Sequence, residues 1–373
     1  MGHPEVRLDR LRPAEIAAAL ERAPVAWIPL GALEFHGDHL PNGTDGLTGH
    51  ALLVAAAERL GGVVLPWSYL TIGTLALPWS FRYDPTLVAD SLRQTLRQLP
   101  AHGVQLAVIH TGHGPLDLIH LIKRVCVEVE AEVTGAGVDF RAIGLCYLEL
   151  NAVLGTGLGT DWPVAIDHGS TVETSWIAAL DPGLVAVERL PDDPSATIVG
   201  VYGPNPRFTV DAATGGDQIA AAGELLAERA AAALRGDTVD PYTDLRTFVE
   251  RYWPERLVLA GQAGTPGDAM GGAAILVTNP APMSRYVTDL DLRLDGVPMG
   301  RDGLSLVNPT SGETGVPIAG ADLGPERGFY VRRLQTAEIH LPTTVTPGPH
   351  DVDLVLGLAG VTDATFAETV EFR

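Results

Sequence analysis

The chain has 373 residues, 25 of them basic and 46 acidic, for a formal charge of −21, and 46% are hydrophobic. That length suggests two domains or one large one, and the apolar share supports a packed core rather than disorder. The acidic balance repels phosphate backbones and argues against a nucleic-acid partner. Apolar runs break off short of the roughly 20 residues a membrane helix needs, and the N-terminal stretch lacks the long apolar segment of a secretory signal. The expectation is a cytoplasmic protein with no membrane partner. Cys126 and Cys146 lie in apolar surroundings and read as buried free thiols, not a disulfide framework. Lys123 is the sole lysine. It sits within a helical pattern, which excludes Schiff-base, pyridoxal-phosphate and P-loop chemistry, all of which need a placed lysine amine.

In chain order, residues 13–23 predict a short helix and 25–32 a buried strand. A helix over 45–60 and a strand over 62–67 follow, then a helix over 85–102 and a strand over 104–112. The pattern continues with a helix over 116–132, a strand over 139–150, and helices over 171–180 and 215–235. Alternation of helices with unbroken apolar strands predicts a mostly parallel sheet covered on both faces. From about 258 the texture becomes period-2, as in Val287, Leu290, Leu292 and Leu294 or Val352, Leu354 and Leu356. Such alternation predicts half-buried antiparallel strands and hence a β-sandwich. The expected division is 1–236, a linker over 237–257, and a sandwich over 258–373.

The richest chemistry lies in GALEFHGDHLPNGTDG, residues 31–46, directly after the first strand. Glu34 and His36, two apart, leave an extended segment on the same side. Asp45 falls where the next helix begins, suited to be N-cap and metal ligand alike. In open α/β sheets ligands bind beyond the carboxyl ends of the strands, where this loop must lie. Mixed carboxylate and imidazole donors suit Zn, Mn or Fe rather than Ca or Mg. A second cluster, HTGHGPLD, places His113 at another strand end, with His110 still inside the strand as core or outer support. A third, IDHGSTVETSW, holds Asp167, His168 and Glu173. Glu173 is either a simple helix cap or a carboxylate that faces the first loop to bind metal or take a proton from water. Trp67 and Trp79 read as core residues, and His340 and His350 as isolated histidines.

Together LGALEFHGDHLPNGTD, the HTGHG turn and the His-x4-Glu-Thr-Ser segment resemble the creatininase family over roughly residues 15–235. The resemblance implies an α/β/α domain with one or two divalent ions, zinc expected and manganese or iron the alternatives. It implies hydrolysis of an amide-type C–N bond (amide, lactam or formamide) in a small polar molecule. Carried over by position, it makes Glu34, His36, Asp45 and His113 metal ligands, with Asp45 the bridge. It makes Glu173 a ligand or catalytic carboxylate and His168 a proton donor to the leaving nitrogen. His39, Asp167 and Trp162 fall among substrate-binding candidates, His39 equally suited to organise its loop. It also implies a homo-oligomer, a hexamer. Two positions depart: Pro115 stands where creatininase has a metal-binding glutamate, and Thr171 where the family often has Glu. Creatinine is therefore not the expected substrate, and a second ion would have to draw on Glu173. The C-terminal part weakly resembles the β-subunit sandwich of C-glycoside deglycosidases. That leaves two other readings, a metal-assisted lyase, isomerase or hydrolase on a carbohydrate-derived substrate, and a non-catalytic assembly subunit stabilised by metal.

Overall fold

The computed structural model describes residues 5–154, 167–237, 257–265, 272–279, 285–307, 318–324, 328–331, 335–358 and 363–373. The chain divides into two compact units, Met1–Phe248 and Val249–Arg373.

The described elements of the first unit are α1 (Pro13–Arg22), β1 (Val25–Leu30), α2 (Thr44–Leu60), β2 (Val63–Val64), α3 (Pro85–Gln98), β3 (Leu106–Thr111), α4 (Leu116–Gly135), β4 (Arg141–Cys146), α5 (Tyr147–Leu154), α6 (Thr171–Leu180) and α7 (Ala212–Leu234). Four parallel strands lie in the order β2-β1-β3-β4. Every residue of β1 and β3 is buried, which is why both read as unbroken apolar runs rather than alternating ones. On one face Ile28, Ile109 and Ala142 share a core with Leu92 and Leu96 of α3 and Leu118, Ile122 and Val125 of α4. Helices α2 and α7 pack against the sheet from the other side, with α6 beside them. The crossovers return the chain so that the loops after β1, β3 and β4 gather at one edge of the parallel sheet.

The second unit contains β5 (Val258–Gln262), β6 (Ala274–Asn279), β7 (Arg285–Leu294), β8 (Val297–Pro298), β9 (Ser305–Val307), β10 (Ile318–Ala319), β11 (Phe329–Val331), β12 (Gln335–His340), β13 (Gly348–Leu358) and β14 (Ala364–Phe372). They form one hydrogen-bonded path, β10-β9-β12-β6-β5-β14-β13-β7-β11, with β8 on β7. Among the described residues, the pairings are antiparallel except that of β14 with β5. Buried Asn279 on β6 donates from Nδ2 to the Val331 carbonyl of β11 at 3.0 Å. The path therefore returns on itself and encloses one core of alternating residues, among them Ile275, Val277, Leu292, Ile339 and Leu354. This is a sandwich-type arrangement.

Several boundaries differ from expectation. The strand expected over 139–150 stops at Cys146, because Glu149 Oε2 accepts the Cys146 N–H at 2.8 Å and turns the chain into α5. The expected 62–67 strand shrinks to Val63–Val64. Helix α7 starts at Ala212, where the Asp211 side chain accepts from Ala213 N. Trp67 and Trp79 are not core: they are 38% and 75% exposed, and Trp79 adopts a left-handed φ of 62°. Their aromaticity suggested burial, but both lie on the irregular stretch between β2 and α3. Both cysteines are buried and free. His350 is not isolated, since its Nδ1 lies 2.8 Å from Asp295 Oδ2. The linker segment 238–256 and Trp162 lie outside the described residues.

Candidate metal centre

Two strand ends and two helix starts build the site. The loop after β1 supplies Glu34 and His36, and the first turn of α2 supplies Asp45. Asp45 is inside that turn rather than its N-cap, which is Gly43. Gly31 and Gly112, at the ends of β1 and β3, press against the backbone of Asp45 and Gly46 so closely that a Cβ at either would overlap it. These two glycines let both strand ends flank Asp45. The turn after β3 delivers His113, and the start of α6 delivers Glu173 beside His168.

The donor atoms converge. His36 Nε2 lies 2.9 Å from Asp45 Oδ1 and 3.5 Å from Glu173 Oε2. His113 Nδ1 lies 3.1 Å from both Glu34 Oε2 and Asp45 Oδ2. All five residues are buried, yet Glu34 Oε2, His36 Nε2 and Asp45 Oδ2 have no aligned hydrogen-bond partner. Buried polar atoms are normally paired, and atoms that crowd together without hydrogen-bond alignment are arranged as ligands of a common centre. Two such groups are present among the described residues, Glu34–Asp45–His113 and His36–Asp45–Glu173, and Asp45 belongs to both. A third, Glu34–His36–His168, overlaps them.

The surrounding hydrogen bonds fix which nitrogen faces inward. His36 Nδ1 is 2.9 Å from the Glu34 carbonyl and His113 Nε2 is 3.2 Å from the Ile72 carbonyl. A carbonyl only accepts, so each ring carries a proton on its outer nitrogen, and the inner nitrogen facing the cluster is the one a metal ion would take in place of a second proton. His168 follows the same logic: Nε2 donates to the Phe35 carbonyl at 2.9 Å, and Nδ1 faces Glu34 Oε2 at 4.0 Å. Glu34 Oε1 accepts from Leu75 N, leaving Oε2 for the centre.

Electrostatics report the same crowding. Burial opposes a charge on His36, but Asp45 and Glu173 outweigh it and raise its pKa to about 10. Burial together with Asp45 and Asp167 pushes Glu173 up to about 8, against the pull of His36. Burial and the nearby His36 charge lower His168 to about 4. With no cation present, protons supply the positive charge that three buried carboxylates demand, a demand a divalent ion meets directly.

The other candidates lie around this cluster. His39 is buried, with Nε2 3.0 Å from Thr174 Oγ1. Asp167 accepts from Val172 N at 2.8 Å and Glu173 N at 3.1 Å, capping the start of α6 beneath Glu173. His110 is fully buried in β3 with both ring nitrogens unpaired, and burial lowers its pKa to about 3. Pro115 is the N-cap of α4, so the position that could have offered a further carboxylate shapes the backbone instead. Sequence reasoning missed the carbonyls of Ile72, Glu34 and Phe35, which no side-chain pattern announces, and Tyr147, hidden in an apolar run.

Fold and cluster together define an α/β/α protein with a buried carboxylate–imidazole centre of the kind that activates water in metal-dependent hydrolases. The creatininase family model, described as creatinine amidohydrolase, matches residues 9–236. Creatinine amidohydrolase of Pseudomonas putida is 29% identical over 205 residues, 51% of this chain and 75% of that protein. A creatininase crystal structure superposes with a TM-score of 0.53 at 24% identity, covering 63% of this chain and 99% of the other. A creatininase variant in a Zn–Zn form gives the same TM-score and identity, covering 63% and 98%. A putative creatinine amidohydrolase from Bacteroides fragilis gives 0.50 at 20% identity, covering 64% and 100%. The chain belongs to the creatininase family, a family of metal-dependent amidohydrolases acting on C–N bonds.

Proposed function

We propose that this protein hydrolyses an amide, lactam or formamide bond of a small polar substrate, using two divalent ions. Glu34, Asp45 and His113 would hold one, and His36, Asp45 and Glu173 the other, with Asp45 shared. The observation that carries this reading is the convergence of buried ligand atoms without hydrogen-bond partners. Zinc suits the donor set, and a creatininase of similar fold is known in a Zn–Zn form. A divalent ion bound here supplies Lewis acidity, polarising a carbonyl and lowering the pKa of water from 15.7 to about 7.

The chain's own residues supply positioning and proton transfer. His168 presents an unprotonated Nδ1 to the cluster, held by the Phe35 carbonyl. It takes the proton of the attacking water and then delivers it to the departing nitrogen. Asp167 holds the start of α6, and so Glu173, in place through two backbone N–H groups. His39 braces the loop against α6 through Thr174. Pro115 leaves Glu173 as the second group's outer carboxylate, which changes the shape presented to substrate, and we expect creatinine to be turned over poorly or not at all. The relatives found are creatinine amidohydrolases, and they support neither the carbohydrate lyase nor the assembly-subunit alternative. Cytoplasmic location is kept as an expectation of the sequence and homo-hexameric assembly as one of the family resemblance, the latter testable by light scattering.

The test is amine release by the zinc-loaded protein from a panel of creatinine, lactams, formamides and oxidised glycosides. Release from a lactam or formamide is expected. Consumption of a glycoside without amine release would replace this reading with the lyase one.

A further inference from the structure

Tyr147 occupies a place that neither the proposed ligands nor the proton path uses. It follows β4 directly, and β4 pairs with β3 so that Cys146 stands opposite Thr111. Tyr147 therefore emerges at the sheet edge beside Gly112 and His113. Its ring packs on Gly114: a Cβ there would come within 2.9 Å of Tyr147 Cε1 and 3.1 Å of the hydroxyl oxygen. Its other neighbour is Trp176, met edge-on at 6.5 Å between ring centroids, three residues after Glu173 on α6. The phenol thus stands between the turn that carries His113 and the helix that carries Glu173.

The residue is 8% exposed, no hydrogen bond to its hydroxyl is present among the described residues, and its oxygen is not among the fully enclosed unpaired atoms. The ring is packed while its oxygen stays reachable, and a tyrosine hydroxyl in such a position usually finds a partner, so this one is available to a bound molecule. The corner that carries it is held firmly. Lys123 Nζ, buried, is 2.7 Å from Glu149 Oε1 and donates to the Gly144 carbonyl at 2.7 Å, while Glu149 Oε2 accepts from Cys146 N. The chain's sole lysine ties both flanks of Tyr147 to α4.

We propose that Tyr147 is a further catalytic residue, whose hydroxyl donates a hydrogen bond to the substrate's carbonyl oxygen as water adds to the carbon. The inference rests on the amidohydrolase reading above. No bond to the tyrosine forms and its proton stays on oxygen; the charge gathering on the carbonyl oxygen meets a fixed donor in a dry site. Burial, with Glu173, Cys146, Asp167 and Asp45 nearby, keeps the phenol neutral, so it acts as donor and not as base.

The experiment compares wild type and Tyr147→Phe, a change that removes one unpaired oxygen and leaves packing intact. Both proteins are loaded with zinc, metal content is counted, and binding of inorganic phosphate, a tetrahedral oxyanion, is measured by calorimetry. Equal zinc content with phosphate affinity about tenfold weaker in the variant is expected for loss of a hydrogen bond to a charged oxygen. Equal zinc content and equal phosphate affinity would overturn the role of Tyr147 while leaving the amidohydrolase reading intact. A wild type that retains no zinc would overturn that reading and this inference with it.

Discussion

Asn in place of Asp45 keeps the side chain's size and removes one buried charge, so its effect reads electrostatics rather than packing. Asp45 is 1% exposed, with His36 Nε2 at 2.9 Å and His113 Nδ1 at 3.1 Å. Near 3 Å, at an effective dielectric of about 20, each contact gives about 5 kcal/mol before desolvation. Removing the carboxylate from water costs several kcal/mol in return, and breaking a buried pair by deleting one partner has a net cost of about 3–5 kcal/mol. Metal-free Asp45→Asn should therefore lose about 3–5 kcal/mol of stability in urea titration, seen as a lower midpoint with the slope of the transition unchanged. The same variant should lose both ions, since Asp45 belongs to both ligand groups, whereas Glu173→Gln should keep the ion of the Glu34–Asp45–His113 group. Elemental analysis after dialysis counts them. An Asp45→Asn protein that unfolds like wild type, or that keeps as much metal as Glu173→Gln, refutes the shared-ligand reasoning.

Three further outcomes follow from the geometry. His168→Gln should retain its metal but lose about 10²–10⁴-fold in turnover of whichever panel compound is active; unchanged turnover removes His168 from the proton path. Lys123→Met strands Glu149 in the core and should cost about 3–5 kcal/mol, while Lys123→Met with Glu149→Leu should recover most of it; denaturant titrations that show no coupling contradict this. His110 is held neutral below its ordinary pKa, so its contribution is intact above about pH 6.5 and is lost as pH falls toward about 3. His110→Leu should therefore flatten the acid loss of stability and, by removing two unpaired nitrogens, gain about 1–2 kcal/mol at pH 7; an unchanged acid limb in thermal melts would argue against it.

The parallel sheet was legible because buried strands such as Val25–Leu30 and Leu106–Thr111 are continuous apolar runs with helical patterns between them. The ligand types were legible because Glu34, His36 and Asp45 crowd one glycine-rich loop. What sequence could not convey is convergence. Nothing in the spacing of residues 36, 113 and 173 states that crossovers bring them within ligand distance, and the carbonyls that set the imidazole tautomers belong to residues of any type. Tyr147 escaped notice because Cys146–Glu149 forms a cap-like turn inside what looks like an extended run. Trp79 misled in the opposite direction: a large aromatic suggests burial, but its carbonyl accepts from Asn42 Nδ2 at 3.0 Å and its side chain faces outward.

Crystals of the zinc-treated protein, measured on both sides of the zinc absorption edge, would show whether the buried carboxylates and imidazoles share two ions. Two anomalous peaks about 3.5–4 Å apart are expected, one against Glu34 and His113, the other against His36 and Glu173, with Asp45 between them. Ordinary solvent density at both positions, with no anomalous signal, would contradict a shared metal centre.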